Sequence, residues 1–151
     1  MVLKNNNNNN KMSFKYIFIS FIKILQKKGL KELVELNLKQ GFSIIKKNTK
    51  EHPIFLFIKA LERSKPFCVI KLIRISGNVY KIPVEISKNK QQTIVLKWIV
   101  INILESTKFT LKKNIAKEII DSCFHTSKSI KMCDDFHKIA ESNKINILTK
   151  F

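Results

Sequence analysis

The fold can be predicted from residues 60–98, ALERSKPFCVIKLIRISGNVYKIPVEISKNKQQTIVLKW. A helical pattern ends at Pro66, and two runs rich in β-branched and aromatic residues follow before a new apolar helical pattern begins. The two runs are Phe67–Ile75 and Val79–Ile86. Between them, Gly77 and Asn78 are residues that accept the positive φ of a tight turn. We therefore predict a two-stranded β-hairpin, called here the ribbon, at about residues 67–86.

The register of the ribbon is predicted from its turn. If Gly77 and Asn78 form the turn centre, Arg74 lies opposite Lys81, and facing like charges destabilise a strand pair. An anion between the two side chains would remove the repulsion, whereas a three-residue loop would shift the register by one. Pro83 cannot donate a ladder hydrogen bond, so it must face an open edge. Because two strands alone are marginally stable, we expect the ribbon to be held by the partner that it binds.

The rest of the chain has the periodicity of helices. Helices are predicted over about residues 14–28, 30–47, from Pro53 up to Pro66, from after Ser87 to 105, over 111–124, and after Asp134 or Asp135. Gly29 is the expected C-cap of the first helix. The fold class is therefore mainly α, a single domain at residues 14–151 of six helices, with the ribbon between helices three and four. Residues 1–13 contain six consecutive asparagines and little to bury, so we expect a disordered tail.

Apolar residues within the predicted helices indicate which faces are buried. The expected core residues are Leu33, Leu36, Phe42, Ile44 and Ile45 in helix two, Phe55, Ile58 and Leu61 in helix three, Trp98 in helix four, Ile115, Ile119 and Ile120 in helix five, and Phe136, Ile139 and Ala140 in helix six. Gly41 interrupts the pattern of helix two and weakens the prediction there.

The charge of the chain indicates a polyanionic partner. The 151 residues include 29 Lys and Arg against 11 Asp and Glu, a formal net charge of +18. Charge alone does not distinguish RNA, DNA and an anionic membrane. Only Arg63 and Arg74 are arginines, so the neutralisation of phosphates by lysine should dominate binding. Lys, Asn, Ile and Phe are residues of A/T-rich codons, which indicates an A/T-rich, organellar genome.

Targeting and membrane signals are weak. The apolar run Ile94–Leu104 includes Lys97 and Asn102 and is shorter than the roughly 20 residues of a membrane span. No small-residue cleavage site follows Tyr16–Ile22, which therefore fits a core helix better than a signal peptide. No Arg-rich, Ser-rich presequence is visible, as expected for synthesis inside the compartment where the protein works. We expect no membrane partner.

Two Cys-His pairs were considered as a zinc site: Cys123 with His125, and Cys133 with His137. The C-x-H spacing is uncommon in structural zinc sites compared with C-x-x-C. We therefore predict no metal and no cofactor, and reduced thiols at these positions and at Cys68.

No constellation of catalytic residues is present in the sequence. A P-loop, a Gly-rich dinucleotide turn and a nucleophile elbow are all absent. We therefore predict that the protein is not an enzyme and has no small-molecule substrate.

The chain resembles the small-subunit ribosomal protein S-seven family from about Phe18 to Phe151. Around the ribbon, the matching positions are Ala60, Glu62, Lys65, Pro66, Gly77, Tyr80, Pro83, Glu85 and the Lys97-Trp98 pair. Downstream, residues 134–144 (DDFHKIAESNK) are similar to the acidic pair and Met-Ala-Glu-Ala-Asn-Arg helix of the family. Upstream, Phe21-Ile22 and Gly29 occupy the positions of its Phe-Ile and its first interhelical glycine.

The resemblance implies a structural constituent of the small ribosomal subunit. Such a protein binds the 3′ major (head) domain of small-subunit rRNA, supports head assembly, and places its ribbon near the exit-site tRNA and the mRNA path. The implied partners are small-subunit rRNA, neighbouring head proteins, and the exit-site tRNA and mRNA. With the codon bias, this predicts a mitochondrial ribosome in the matrix, with a plastid ribosome as the alternative.

The candidate rRNA-binding residues are all basic. They are Lys65, Lys71, Arg74, Lys81, Lys88, Lys90, Lys97, Lys112, Lys113, Lys128 and Lys131. Lys88 and Lys90 are expected in the linker into helix four. Lys128 and Lys131 are expected in the loop before helix six, which corresponds to a basic RNA-contacting loop of the family. The segment Ile130–Cys133 departs from the family pattern, since it keeps one of three basic positions.

Two other functions compete with this interpretation. A free DNA-binding helical protein would require helices at helix-turn-helix spacing, and the ribbon argues against it. A zinc-stabilised small protein would contain bound metal when purified.

Overall fold

The structure is a computed structural model that describes residues 3–26, 28–75 and 77–146, with side chains from Phe14 onward. Its elements are α1 (Leu3–Leu25), α2 (Lys31–Thr49), α3 (Pro53–Arg63), β1 (Cys68–Ile75), β2 (Asn78–Glu85), α4 (Lys88–Glu105), α5 (Leu111–Cys123) and α6 (Lys128–Ser142). The described residues thus confirm six helices with one antiparallel hairpin between α3 and α4. None of the described helices is both long and apolar enough to cross a membrane.

The main core lies between helices α1 to α5. Phe21 of α1 and Phe57 of α3 are fully buried, with ring centroids 5.1 Å apart. The α4 and α5 helices contribute Ile99 and Ile115, which are also completely covered. Each such side chain contributes about 1.5 to 3 kcal/mol to folding through burial. These five helices share one packed core, and the ribbon is inserted between α3 and α4.

Helix α2 buries only part of the apolar side predicted for it: Ile45 is buried as expected, and Phe42 and Ile44 pack partly buried against the core. Leu33 and Leu36 are exposed, whereas Val34, Leu38 and Ile45 are buried. The buried residues follow the i, i+4, i+11 spacing of a single helical stripe, on which Leu33 and Leu36 do not lie. Apolar residues occur on both sides of this helix, so composition did not identify the buried side.

Gly41 lies on the buried stripe of α2, and it permits close packing against α5. A Cβ atom at this position would lie 3.1 Å from the backbone oxygen of Lys112 and 3.3 Å from the Ile115 Cγ2. The glycine that weakened the helix prediction therefore has a packing role, because the absence of a side chain brings the two helices together.

Helix α3 was also assigned partly to the wrong face. Phe55 and Ile58 are exposed, whereas Leu56, Phe57 and Leu61 are buried as a contiguous patch. Only Leu61 of the predicted trio faces the core. A run of five apolar residues leaves the periodicity ambiguous, and the neighbouring helices decide which of them are covered.

Helix α6 begins earlier than the acidic pair at which it was predicted to start. Its N-cap is Ser127, whose hydroxyl accepts a hydrogen bond from the Ile130 N–H at 3.2 Å. Ile130 and Cys133 are then buried at i, i+3 spacing. Of the predicted core residues further along, Ala140 is buried and Ile139 is exposed. The acidic pair that resembles an N-cap is therefore inside the helix.

The register of the ribbon differs from the predicted one by two residues. The strands pair Arg74 with Val79 and Leu72 with Lys81, and they pair Ile75 with Asn78. Gly77 has a φ of +89°, as expected for the turn, but Asn78 already belongs to β2. Arg74 and Lys81 are therefore not directly opposite, and the predicted repulsive pair does not exist.

The N-terminal segment extends α1 toward the start of the chain. The helix includes Leu3 as its first residue, whereas the sequence predicted a start near Phe14. The side chains of residues 3–13, together with Met1 and Val2, lie outside the described residues. Disorder of residues 1–13 and the domain limits of 14–151 remain predictions.

The reassigned face of α2 can be tested with two matched substitutions. Leu38 is 1% exposed and Leu36 is 55% exposed. Leu38→Ala should lower the free energy of unfolding by about 3 to 5 kcal/mol, since it leaves a cavity in the core. Leu36→Ala should change it by less than about 0.5 kcal/mol. Urea denaturation followed by circular dichroism measures both, and the opposite ranking would show that the predicted face was right.

Candidate nucleic-acid interface

One face of the ribbon combines two cations with two apolar side chains. The pairing places Leu72, Arg74, Val79 and Lys81 on the same side of the sheet, because directly opposed residues point the same way. All four are exposed, with Leu72 at 67% and Val79 at 61%. Arg74 and Lys81 are diagonal neighbours, so their Cβ atoms lie roughly 7–8 Å apart or less. We call these four residues the ribbon face.

The opposite side of the ribbon is more covered. Ile82 is only 2% exposed, and Ile73 and Tyr80 are half-buried. Lys71 pairs with Ile82 on this side, where its own side chain is exposed. The structure thus separates Lys71 from Arg74 and Lys81, although the sequence grouped all three cations.

Six predicted cations lie in the first turns of helices. These are Lys88 and Lys90 in α4, Lys112 and Lys113 in α5, and Lys128 and Lys131 in α6. The first turns of these helices contain no acidic residue. A helix N-terminus carries partial positive charge and unpaired N–H groups, so cations there oppose the helix dipole and raise the local positive potential. Lysines at these positions make the helices of the free protein slightly less stable, but they favour the binding of an anionic partner.

These positions correct two sequence predictions. Lys88 and Lys90 lie inside α4 and not in a linker. Lys128 and Lys131 lie inside α6 and not in a loop before it. In both cases a serine directly precedes the helix, and the helix starts at the lysine that follows this serine. The side chains are therefore displayed by rigid backbone.

The remaining predicted cations occupy separate parts of the surface. Lys65 is half-buried in the connection between α3 and β1, and Lys97 is exposed in the middle of α4. Lys90 and Lys97 are seven residues apart and share one side of that helix. Lys88 begins α4, whereas Lys112 is in the first turn of α5, which lies beside the end of α4, where the Asn114 amide donates to the Ile103 carbonyl oxygen. The eleven cations form an extended surface and not one compact site.

Few acidic groups neutralise this surface. In the part of the chain that the structure describes, the ion pairs are Lys31 with Glu35 at 3.6 Å and Lys138 with Asp135 at 3.7 Å. Neither pair involves a predicted rRNA-binding residue. Both pairs are exposed, so each contributes little to stability.

Helix α6 supports the base of the ribbon. Among the described helices, it is the one that packs extensively against both strands. The Phe67 N–H donates to Nε2 of His137 at 3.1 Å, and the two rings stack with centroids 5.5 Å apart. On the other side, α6 contacts α4, where Phe136 packs against Trp98 at 5.7 Å. The Trp98 indole is half-buried, and so less covered than the sequence predicted.

Known proteins with similar sequences identify the family. The family model described as Ribosomal protein S7p/S5e matches residues 2–144. The small ribosomal subunit protein uS7 of Mycoplasma genitalium is 37% identical over 123 residues, which are 82% of this chain and 79% of that protein. The protein uS7m of Reclinomonas americana is 33% identical over 128 residues, 85% of this chain and 80% of the relative.

The chain belongs to the S7 family of ribosomal proteins. It is accordingly a structural, non-enzymatic protein of the small ribosomal subunit, as the resemblance implied. A further relative, uS7 of Syntrophus aciditrophicus, is 33% identical over 132 residues, 87% of this chain and 85% of that protein.

A buried polar network that no local sequence pattern indicates fixes α6 in this S7-family protein. The Asn102 amide of α4 donates to Ser129 Oγ at 2.8 Å, and Ser129 Oγ donates to Glu118 Oε1 of α5 at 2.5 Å. Asn102 and Ser129 are buried. A satisfied network of this kind specifies one arrangement of three helices, because any shift leaves polar groups without partners.

The four Cys and His side chains considered for zinc do not converge. Cys123 donates to the Leu56 carbonyl oxygen at 3.2 Å, between α5 and α3. Cys133 lies 3.9 Å from Nδ1 of His137, and His125 is exposed in the turn before α6. Within the described residues, no group of three or more His, Cys, Asp or Glu side chains is placed to hold a metal ion.

Burial keeps two thiols of this S7-family protein protonated. It raises the pKa of Cys123 above its ordinary value. Burial, together with the charge of Asp134 and the neighbouring Cys68, raises the pKa of Cys133 to about 11. Both are therefore poor nucleophiles and poor metal ligands near neutral pH.

The raised pKa of Cys133 predicts a loss of stability in alkali. The folded state favours the neutral thiol, so this contribution is complete below the unfolded pKa near 9 and disappears as the pH rises through about 11. The free energy of unfolding should fall over this interval, by on the order of 2 kcal/mol from this group. Urea denaturation from pH 8 to pH 11 measures the decline.

The control for this experiment is Cys133→Ala, which removes the thiol and keeps every other ionisable group. The alanine variant should be less stable at pH 8, but its stability should decline less steeply above pH 9. Parallel declines in the two proteins would show that the thiol makes no such contribution.

Proposed function

We propose that this protein binds the 3′ major (head) domain of small-subunit rRNA and supports assembly of the head. Membership of the S7 family supports the ribosomal role. The observation that carries the proposal is the ribbon face, where Arg74 and Lys81 are exposed and without an acidic partner among the described residues. Cations of this kind neutralise phosphates and fix the position of an RNA.

The apolar half of the ribbon face suits irregular RNA. Leu72 and Val79 are more than half exposed beside the two cations. Ribosomal RNA presents unstacked bases and sugars at loops and junctions, where apolar side chains pack while cations contact phosphates. A ribbon on which cations alternate with apolar side chains can contact the phosphates of an RNA strand and also its bases and sugars. We further propose that the ribbon lies near the exit-site tRNA and the mRNA path.

The first-turn lysines provide a second, less specific contribution. They lie at the N-termini of three helices, where they oppose the helix dipole at a cost of about 0.3 to 1 kcal/mol each at an exposed site. Binding of phosphates would remove this cost, since the backbone N–H groups of a helix N-terminus attract anions as well. We propose that Lys88, Lys90, Lys112, Lys113, Lys128 and Lys131 bind RNA backbone in this way, together with Lys65, Lys71 and Lys97.

We propose the mitochondrial ribosome as the site of action. Lys, Asn, Ile and Phe dominate the sequence, as expected from an A/T-rich organellar genome. The relative from Reclinomonas americana carries the mitochondrial name uS7m, although the other relatives described above are bacterial. Neighbouring head proteins are the expected protein partners.

The role of the ribbon face can be tested by removing its two charges. Arg74→Ala with Lys81→Ala should leave the helical domain folded and weaken binding to a head-domain rRNA fragment by roughly tenfold or more. The negative slope of log affinity against log salt should become shallower by about 1 to 2, since each phosphate contact contributes roughly 0.7 to 0.9. Filter binding at several salt concentrations measures both quantities.

A matched control separates specific contacts from net charge. Lys31→Ala with Lys138→Ala also removes two charges, but from the lysines that pair with Glu35 and Asp135. This control should bind nearly as well as the native protein. Equal losses in the two double variants would show that only total charge matters, and a salt-independent native affinity would contradict the electrostatic account.

A further inference from the structure

We propose that His137 is the positioning residue that fixes the direction in which the ribbon leaves the helical domain. From the sequence, the His137 side chain is a candidate metal ligand. In the structure, its imidazole instead makes two contacts with Phe67, the last residue before β1. The Phe67 N–H donates to Nε2 at 3.1 Å, and the rings stack with centroids 5.5 Å apart.

The location of this contact explains why one side chain can set an orientation. Pro66 is buried and fixes the backbone just before Phe67, and β1 begins one residue after it. The Phe67 N–H is therefore the first backbone donor of the ribbon. A hydrogen bond and a ring stack to one α6 side chain restrain both the direction of the chain and its rotation at this point.

The imidazole is itself held in place from α6 and α4. The Nδ1 atom lies 3.9 Å from Sγ of Cys133, one helical turn earlier. Because Nε2 accepts from the Phe67 N–H, a ring proton is assigned to Nδ1, the nitrogen that lies nearer to this sulfur. The neighbouring Phe136 packs against Trp98, which fixes this part of α6 on α4. The His137 ring therefore connects the rigid core to the ribbon.

A second contact restrains the other strand. The Asn146 side-chain amide, which follows α6, donates to the backbone oxygen of Lys81 at 3.2 Å. This bond leaves the Lys81 side chain exposed on the ribbon face. The region at and beyond the C-terminal half of α6 thus contacts both strands, β1 through His137 and β2 through Asn146.

The test compares His137→Leu with His137→Gln. Leucine keeps the apolar volume but cannot accept a hydrogen bond, whereas a glutamine amide oxygen reaches about the position of Nε2 and can accept from Phe67. Residual dipolar couplings of backbone amides in the free protein report the orientation of the ribbon relative to the helices. Hydrogen exchange of the Phe67 amide reports the hydrogen bond itself.

In His137→Leu, the residual dipolar couplings of the helices should still fit the native structure. Those of the ribbon should become smaller and should no longer fit the native orientation of the ribbon relative to the helices. Exchange at Phe67 should accelerate roughly tenfold or more, as expected for the loss of one hydrogen bond. His137→Gln should restore most of the native ribbon couplings and most of the protection of the Phe67 amide from exchange. His52→Leu, at an exposed histidine before α3, is the control and should change neither.

The variant His137→Leu should show a defect in RNA binding that differs from the defect caused by removing charges. Resting on the rRNA-binding function proposed above, His137→Leu should weaken affinity for the head-domain fragment roughly tenfold with an unchanged salt slope, since no phosphate contact is removed. If the native protein does not bind the fragment, the proposed function fails, whereas the couplings still test the role of His137.

A second variant covers the case in which His137→Leu does not fold. Phe67→Ala removes the ring stack from the ribbon side and leaves α6 unchanged, so it should also loosen the ribbon couplings while the helices keep theirs. Native-like ribbon couplings in folded His137→Leu or in Phe67→Ala would overturn the proposal. So would equal loosening of the ribbon by His137→Leu and His137→Gln.

Discussion

The packing of the ribbon against α6 is the contact on which the functional surface depends. Two strands without a covering element are marginally stable in water, because too little apolar surface is buried to offset the ordering of the chain. Here α6 covers one end of the ribbon and buries its own Ile130, Cys133 and Ala140, residues that lie outside the main core of α1 to α5. The ribbon is therefore supported by its own chain, and a partner is not required to hold its base.

The electrostatics of the chain favour binding over intrinsic stability. A net charge of +18 repels itself in the compact state, and lysines in the first turns of α4, α5 and α6 oppose the helix dipoles. The burial of Phe21, Phe57 and Ile99 in the main core opposes these costs. A polyanion would neutralise the lysines, so the RNA-bound protein should be more stable than the free protein.

The sequence was sufficient to predict the elements of the fold but not all of their faces. The ribbon and the six helices were recognised because Pro66, Gly77 and the change of periodicity are local signals. The buried side of α2 was recognised only in part, at Phe42, Ile44 and Ile45, since Leu33 and Leu36 are as apolar as the covered Leu38. In a chain this rich in Ile, Leu and Phe, the contacts between helices decide which apolar residues are covered, and these contacts are not local.

The candidate site was likewise predicted only in part, because its residues can be identified from the sequence but their relative positions depend on the fold. Its cations could be named from the sequence, but the relative position of Arg74 and Lys81 depends on a register that differs by two residues from the prediction. That shift leaves Arg74 and Lys81 on the same face, since it is an even number of residues, but it moves them from directly opposed to diagonal positions. The start of α6 was missed because Asp134-Asp135 resembles an N-cap, whereas Ser127 performs that role. The contact between His137 and Phe67 joins residues 70 apart in sequence, which no local pattern reveals.

The most direct test of the account is ultraviolet crosslinking of the protein to rRNA within assembled small subunits, with the crosslinked residues located by mass spectrometry. The account predicts crosslinks to head-domain rRNA on the ribbon face and at the first turns of α4, α5 and α6. Crosslinks confined to the exposed apolar sides of α2 and α3, with none on the ribbon, would contradict it.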